Sequence, residues 1–150
     1  MNKRDFTNIF FISSIVISLV ALFLPAIRID VVREGVTHHD VQALVDANGS
    51  ICCIGFLVGT AAALIFGKRI LSSVLGFITC LINGFAMYYI HDMAETAARA
   101  YANGSLFNSW VSMHGVEGIT MSHAFGFYIF VGSHILLAVM CLINLFVKDN

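Results

Sequence analysis

The groups able to do chemistry in this chain are mostly imidazoles. His134 lies inside an apolar run, Ala124–Val147, that contains no Asp, Glu, Lys or Arg. An ionisable group in such a run is by default a candidate for ligand, ion or proton handling. His134 is thus a candidate haem or metal ligand, or a station on a proton path. The competing reading is a neutral ring hydrogen-bonded to a neighbouring helix, and Asn83, at similar depth in another apolar run, is the candidate partner. The second reading is preferred, because no carboxylate shares that depth to complete a relay. Nor is there a second deep histidine for bis-histidine haem ligation.

The other histidines, His38, His39, His91, His114 and His123, fall outside the apolar runs, as do Asp40, Asp92 and Glu95. Imidazole with carboxylate suits zinc or copper. These spacings match no ligand pattern, so solvated surface histidines are the preferred reading, with a pH-responsive surface behind it. No metal or cofactor is assigned. The cysteines, Cys52, Cys53, Cys80 and Cys141, all sit in apolar runs and form no C-x-x-C pair, which argues for small buried hydrophobes rather than thiol redox chemistry. Phosphate-binding loops, nucleophile elbows, zincin helices and paired carboxylates are all missing, so an enzyme is not expected.

The elements that must position these groups are dominated by apolar runs. Ile9–Ile27, Ile51–Gly67, Ile70–Ile90 and Ala124–Val147 carry no Asp, Glu, Lys or Arg, in a chain of 150 residues that is 59% hydrophobic and 11% charged. A helix needs about 20 apolar residues to cross roughly 30 Å of hydrocarbon. The expectation is one membrane domain over residues 1–150: an all-α, four-transmembrane-helix bundle with a small extracytoplasmic β-sheet. The run after Lys3 and Arg4 is long for a signal peptide and lacks a small-x-small site at its end, so it reads as a retained helix. Lys3, Arg4, Lys68, Arg69 and Lys148 on one side outnumber Arg28, Arg33 and Arg99 on the other, which puts both termini in the cytoplasm of a bacterial inner membrane. A net charge of −1 gives no reason to expect a nucleic-acid partner.

Between the runs, Ile27, Ile29 and Val31 alternate with Arg28 and Asp30, a strand pattern followed by a turn at Gly35. Val41, Leu44 and Val45 are spaced for a short amphipathic helix. The third run continues into alanine-rich sequence, so its helix is expected to reach about residue 102. Glu34-Gly35-Val36-Thr37 is echoed by Glu117-Gly118-Ile119-Thr120. The Ile27–Val32 strand needs a backbone partner, and Trp110–Ile119 is the best candidate. Small residues recur every fourth position: Gly55, Gly59 and Ala63 in the second run, Gly76, Cys80 and Gly84 in the third. Such stripes let helices approach closely in lipid. They predict that the second and third helices are the closest pair, with Gly59 facing Gly76, and leave a dimerisation face as the alternative.

The basic start, the Phe23-Leu24-Pro25 ending of the first run, the alternation that follows, and Phe125-Gly126-Phe127-Tyr128 opening the last run together resemble small uncharacterised bacterial four-span membrane proteins. The layout is also loosely similar to claudin-type tetraspans, whose Trp and paired-Cys signature is missing here. Neither resemblance implies a functional motif. The expected function is non-enzymatic: binding a membrane or extracytoplasmic protein partner, as an accessory subunit or an immunity-type protein. Arg28, Asp30, Arg33, Glu34 and Glu117, together with Asp92, Glu95 and Arg99 on the projecting third helix, form the candidate partner surface. A haem- or metal-binding membrane protein is the alternative. A small transporter stands behind it, because the runs lack charged residues to mark a path.

Overall fold

The computed structural model describes residues 3–44, 50–102 and 115–146. In chain order its elements are α1 (Lys3–Ala21), β1 (Pro25–Arg33), β2 (Val36–Ala43), α2 (Ser50–Ile65), α3 (Arg69–Ala102), β3 (Val116–His123) and α4 (Phe125–Phe146). The strands form one antiparallel sheet in the order β2-β1-β3. α2 packs along α3, α1 along α4, and α3 along α4, while the sheet sits against α3 and α4 at one end.

The four-span bundle expected from the sequence is not what the helices support. Among the described residues only two, Arg69–Ala100 and Phe125–Phe146, are long and apolar enough to cross a membrane. The apolar parts of the others, Phe6–Ala21 and Cys53–Ile65, have no more than 17 residues. That is about 26 Å at most at 1.5 Å per residue, short of a hydrocarbon core of roughly 30 Å. The first run is cut short by a local cause. Its helix stops at Ala21, and Leu22, Phe23 and Leu24 close tight turns onto Leu19, Val20 and Ala21. Pro25 cannot continue the i→i−4 ladder and opens β1 instead. Ala26 and Ile27 look like the end of a span in the sequence, but they are buried strand residues.

The segment from Val41 to Ala43 also departs from expectation. Val41 lies in β2, where it pairs with Arg28, rather than in a short helix. The hairpin turn at Glu34-Gly35, with both residues at positive φ, sets a register that carries Val36–Ala43 alongside β1. Cross-strand pairing thereby overrides the helical spacing at Val41, while Leu44 follows the strand in a 3-10 turn and Val45 lies outside the described residues. On the other side of β1, the partner is Val116–His123, with Ile29 opposite Met121 and Val31 opposite Ile119. Of the Trp110–Ile119 segment, only Val116–Ile119 falls in this strand; Trp110, Val111 and Met113 lie outside the described residues.

α2 and α3 pack more extensively than any other helix pair, as the stripes predict, but Gly59 and Gly76 each meet the residue beside the other rather than each other. A Cβ on Gly59 would touch Leu75, while one on Gly76 would collide with Cys141 Sγ of α4 and touch Thr60 of α2. Gly76 therefore lies where α3 meets both neighbours. Ala63 is buried, but Gly55 and Gly84 are exposed and face open space. A second tight approach occurs at Gly126, where a Cβ would collide with the Pro25 carbonyl oxygen and come within 2.7 Å of Leu24 Cβ. The adjoining Ala124 N–H donates to Ala26 O at 2.9 Å. The start of α4 is thus locked to the start of β1.

These contacts separate the glycines by expected cost. Gly76→Ala should lower stability by about 1–3 kcal/mol through overpacking, and Cys141→Ala should restore part of it. Gly126→Ala should cost more, because backbone cannot yield as a thiol can. Gly84→Ala should be neutral or gain up to about 1 kcal/mol of helix propensity. Thermal unfolding of the purified variants in one mild detergent reads the order directly.

Candidate functional site

Two constellations stand out, one inside the helices and one on the sheet. In the interior, His134 of α4 faces α3. Its Nδ1 lies 2.9 Å from the Phe130 carbonyl oxygen, an atom that can only accept, so Nδ1 carries the ring proton. Nε2 is then the acceptor, and Asn83 Nδ2 donates to it across 2.8 Å. Cys80 on the same α3 face donates its thiol to the His134 carbonyl oxygen at 3.5 Å. Both ring nitrogens are thereby occupied. Asn83 is fully buried, and its Oδ1 has no hydrogen-bond partner among the described residues.

A second interior linkage was not singled out from the sequence. Asn144 near the end of α4 donates to Ser73 Oγ at 2.9 Å and to the Arg69 carbonyl oxygen at 3.3 Å. Arg69 Nη2 donates in return to the Asn144 carbonyl oxygen at 2.7 Å. A guanidinium on the last carbonyls of a helix satisfies orphan acceptors and complements the negative end of the helix dipole. The available signal was the amide itself, an Asn within the last apolar run that had received no partner. Three other buried hydroxyls are satisfied close to home, Ser14 on Phe11 O, Thr60 on Phe56 O and Thr79 on Leu75 O, while Ser18 Oγ has no partner among the described residues.

On the sheet, Arg28, Asp30 and His39 share the face turned away from the helices. Asp30 stands directly opposite His39 in the register. Its Oδ1 accepts from Arg28 Nε at 2.8 Å and from His39 Nδ1 at 2.7 Å. The Arg28 guanidinium, and after it the His39 ring, hold the Asp30 carboxyl below the usual carboxylate range. His39 was expected among scattered surface histidines. The turn at Glu34-Gly35 was the signal that could have paired it with Asp30, since folding the chain there brings positions 30 and 39 together.

The rest of the candidate partner surface divides into two patches. At the hairpin tip, Gly35 N donates to Glu117 Oε2 at 3.2 Å and Glu34 N donates to Gly115 O at 3.3 Å, so Arg33, Glu34 and Glu117 gather at one end of the sheet. On α3, Arg99 pairs with Glu95 one turn away, and Asp92 is exposed nearby. The two patches share no ion pair among the described residues.

The metal candidates do not converge. His38 and His39 alternate onto opposite faces of β2. His91 stacks on His123 with ring centroids 5.0 Å apart, and His123 in turn contacts Phe127. His114 lies outside the described residues. Among the described residues, no group of three or more His, Cys, Asp or Glu side chains is arranged to hold a metal ion.

No protein-family model, curated protein or solved structure matches this chain. The reading of the site therefore rests on its own geometry.

Two outcomes follow. Asn83→Ala strands the His134 Nε2 acceptor in the interior and should cost about 1–3 kcal/mol. A double-mutant cycle with His134→Leu, read by thermal unfolding, should give a loss smaller than the sum of the single changes. For Asp30, the folded pKa lies below its ordinary 3.8. Its contacts therefore stabilise the sheet above that value, and the contribution is lost as pH falls through the lowered pKa. An NMR titration should show the Asp30 carboxyl moving up toward 3.8 in Arg28→Ala.

Proposed function

We propose that this protein is a non-enzymatic membrane protein that binds another protein through its extramembrane sheet, as an accessory subunit or an immunity-type protein. Membrane insertion is supported by an inverted distribution of side chains. Asn83, Asn144, Thr60, Thr79, Ser72 and Ser73 are completely or almost completely buried, at 0% to 1% exposure. Ile65, Phe66, Ile70, Leu81, Phe85 and Phe146 are exposed at 72% to 80%. In water, large apolar side chains would be sheltered and amides left outside. In lipid the preference reverses: interfaces take small and polar residues, and large apolar groups face the acyl chains.

In this reading α3 and α4 carry the protein in a bacterial cytoplasmic membrane. Lys68, Arg69 and Lys148 then mark the cytoplasmic side by the positive-inside preference. The Arg69–Asn144 linkage joins the cytoplasmic ends of the two helices, and the sheet projects from the opposite end.

The observation that carries partner binding is the free edge of β2. Among the described residues β2 pairs with β1 alone. Val36 to Val41 are exposed, and the strand has no Lys or Pro along its length. Exposed edges are usually guarded by such residues, because a row of unpaired N–H and C=O groups recruits any extended chain. Here the edge runs beside the fixed Arg28–Asp30–His39 cluster. An extended partner segment added to β2 would gain affinity from backbone hydrogen bonds and specificity from that cluster.

A photo-reactive amino acid at Thr37 or Val41 should form a discrete crosslinked species with one protein in native membranes, or with a second copy of this chain. The same probe at Tyr128, exposed on α4, should not give that species. Thr37→Pro should abolish it while leaving the protein in the membrane fraction after carbonate extraction. Equal crosslinking from all three sites would count against the edge as the binding element.

A further inference from the structure

Between the sheet and the outward half of α3 lies a cavity of about 720 Å³. Pockets that hold small molecules commonly span about 300–1,000 Å³. Its roof is the inner face of the sheet at Ile29 and Gln42, and its floor is α3 at Phe85, Tyr89 and Met93. The space exists because α3 presents Ala86, Ala94 and Ala97 toward the sheet, where larger side chains would fill the gap.

We infer that this cavity is a binding site for one acyl chain of a bilayer glycerolipid. The inference rests on the membrane reading given above. Three observations select that occupant. The cavity follows α3 from Phe85 to Ala97, across the point where its apolar run ends at Ile90 and polar sequence begins at His91. A ligand filling it therefore spans the boundary between hydrocarbon and the interfacial layer. Next, Phe85, Tyr89 and Met93 are exposed at 72%, 57% and 58%, and they continue the exposed apolar stripe that includes Leu81. The open side thus faces the same surroundings as the helix surface below it, and a chain can enter laterally from the bilayer. Finally, no charged side chain lines the cavity among the described residues, and the polar groups they offer are the Gln42 amide and the Tyr89 phenol. Neutral donors and acceptors beside an apolar slot suit the ester region at the root of an acyl chain.

A resident chain would have a structural consequence. It would fill the gap between α3 and the β1–β2 hairpin, and so steady the strand whose outer edge is the proposed partner site.

The test uses the full chain reconstituted into nanodiscs of phosphatidylethanolamine and phosphatidylglycerol. A trace of phosphatidylcholine with a mid-chain diazirine on one acyl chain serves as the probe. After irradiation, mass spectrometry should find adducts on the strand segment Ile29–Gln42 as well as on Phe85–Ala97. Strand adducts are diagnostic, because a sheet outside the membrane meets a mid-chain carbene only if a chain rises into the cavity. Ala97→Phe and Gln42→Trp fill the cavity from opposite walls. Each should lower strand labelling at least fivefold while adducts at Leu142 and Ile143 of α4 persist. If one variant loses its α4 adducts, its fold has failed and the other variant decides. Protein that enters the discs but shows no strand adducts, or keeps them undiminished in both variants, overturns the lipid site alone. Protein that stays out of the discs overturns the membrane reading, and the site with it.

Discussion

The antiparallel pairing of β1 on both of its sides is the interaction on which the rest of the arrangement depends. β1 follows α1 after a tight turn, pairs with β2 through a local hairpin, and pairs with β3 from the far end of the chain. β3 runs directly into α4, whose first turn is locked to the start of β1 by the Ala124–Ala26 hydrogen bond and the close approach of Gly126. One strand thereby fixes where α1 ends, where α4 begins, and how the two packed helices enter the sheet. A central strand also satisfies backbone groups on both edges, which an isolated strand at the end of apolar helices could not do.

Beneath the sheet, a buried core that includes Phe11, Leu57, Phe130 and Leu137 is accompanied by directional polar bonds between helices. Asn83 with His134 and Asn144 with Arg69 and Ser73 join α3 to α4 at two levels, and Ser72 donates to the Thr60 carbonyl oxygen to join α3 to α2. Each bond is modest alone, but directional bonds fix the rotation of a helix about its axis, which non-directional apolar contact does not. The small residue at position 76 allows the backbones to come close enough for these bonds to form. Other large apolar side chains, among them Phe66, Ile70, Leu81, Phe85 and Phe146, lie on the outer surface.

The same division of apolar from polar shapes the sheet. The sheet turns Ile27, Ile29 and Val31 toward the helices and Arg28 and Asp30 away from them, so a two-residue period gives one strand both an apolar cover and a polar outer face. The cavity at Ile29 and Gln42 lies on the apolar side, and the Arg28–Asp30–His39 cluster on the other. The cavity wall and the polar cluster are thus the two faces of one hairpin.

Local periodicity in the sequence determined that the chain is built on apolar helices, that Ile27–Val32 alternates as a strand, and that His134 and Asn83 are polar groups at comparable depth. These follow from spacing within single segments, where the side-chain period reports the face directly. Tertiary structure alone decided that the first helix stops at Ala21, that Val41 joins a strand, that Gly76 meets Cys141 rather than Gly59, and that Asp30 stands opposite His39. Each depends on register, axial rotation or a long-range backbone partner, and hydrophobic pattern specifies none of these. A run of apolar residues says that a segment must be covered. Where it bends, and what covers it, is settled only when Pro25 ends a helix and β1 finds partners on both sides.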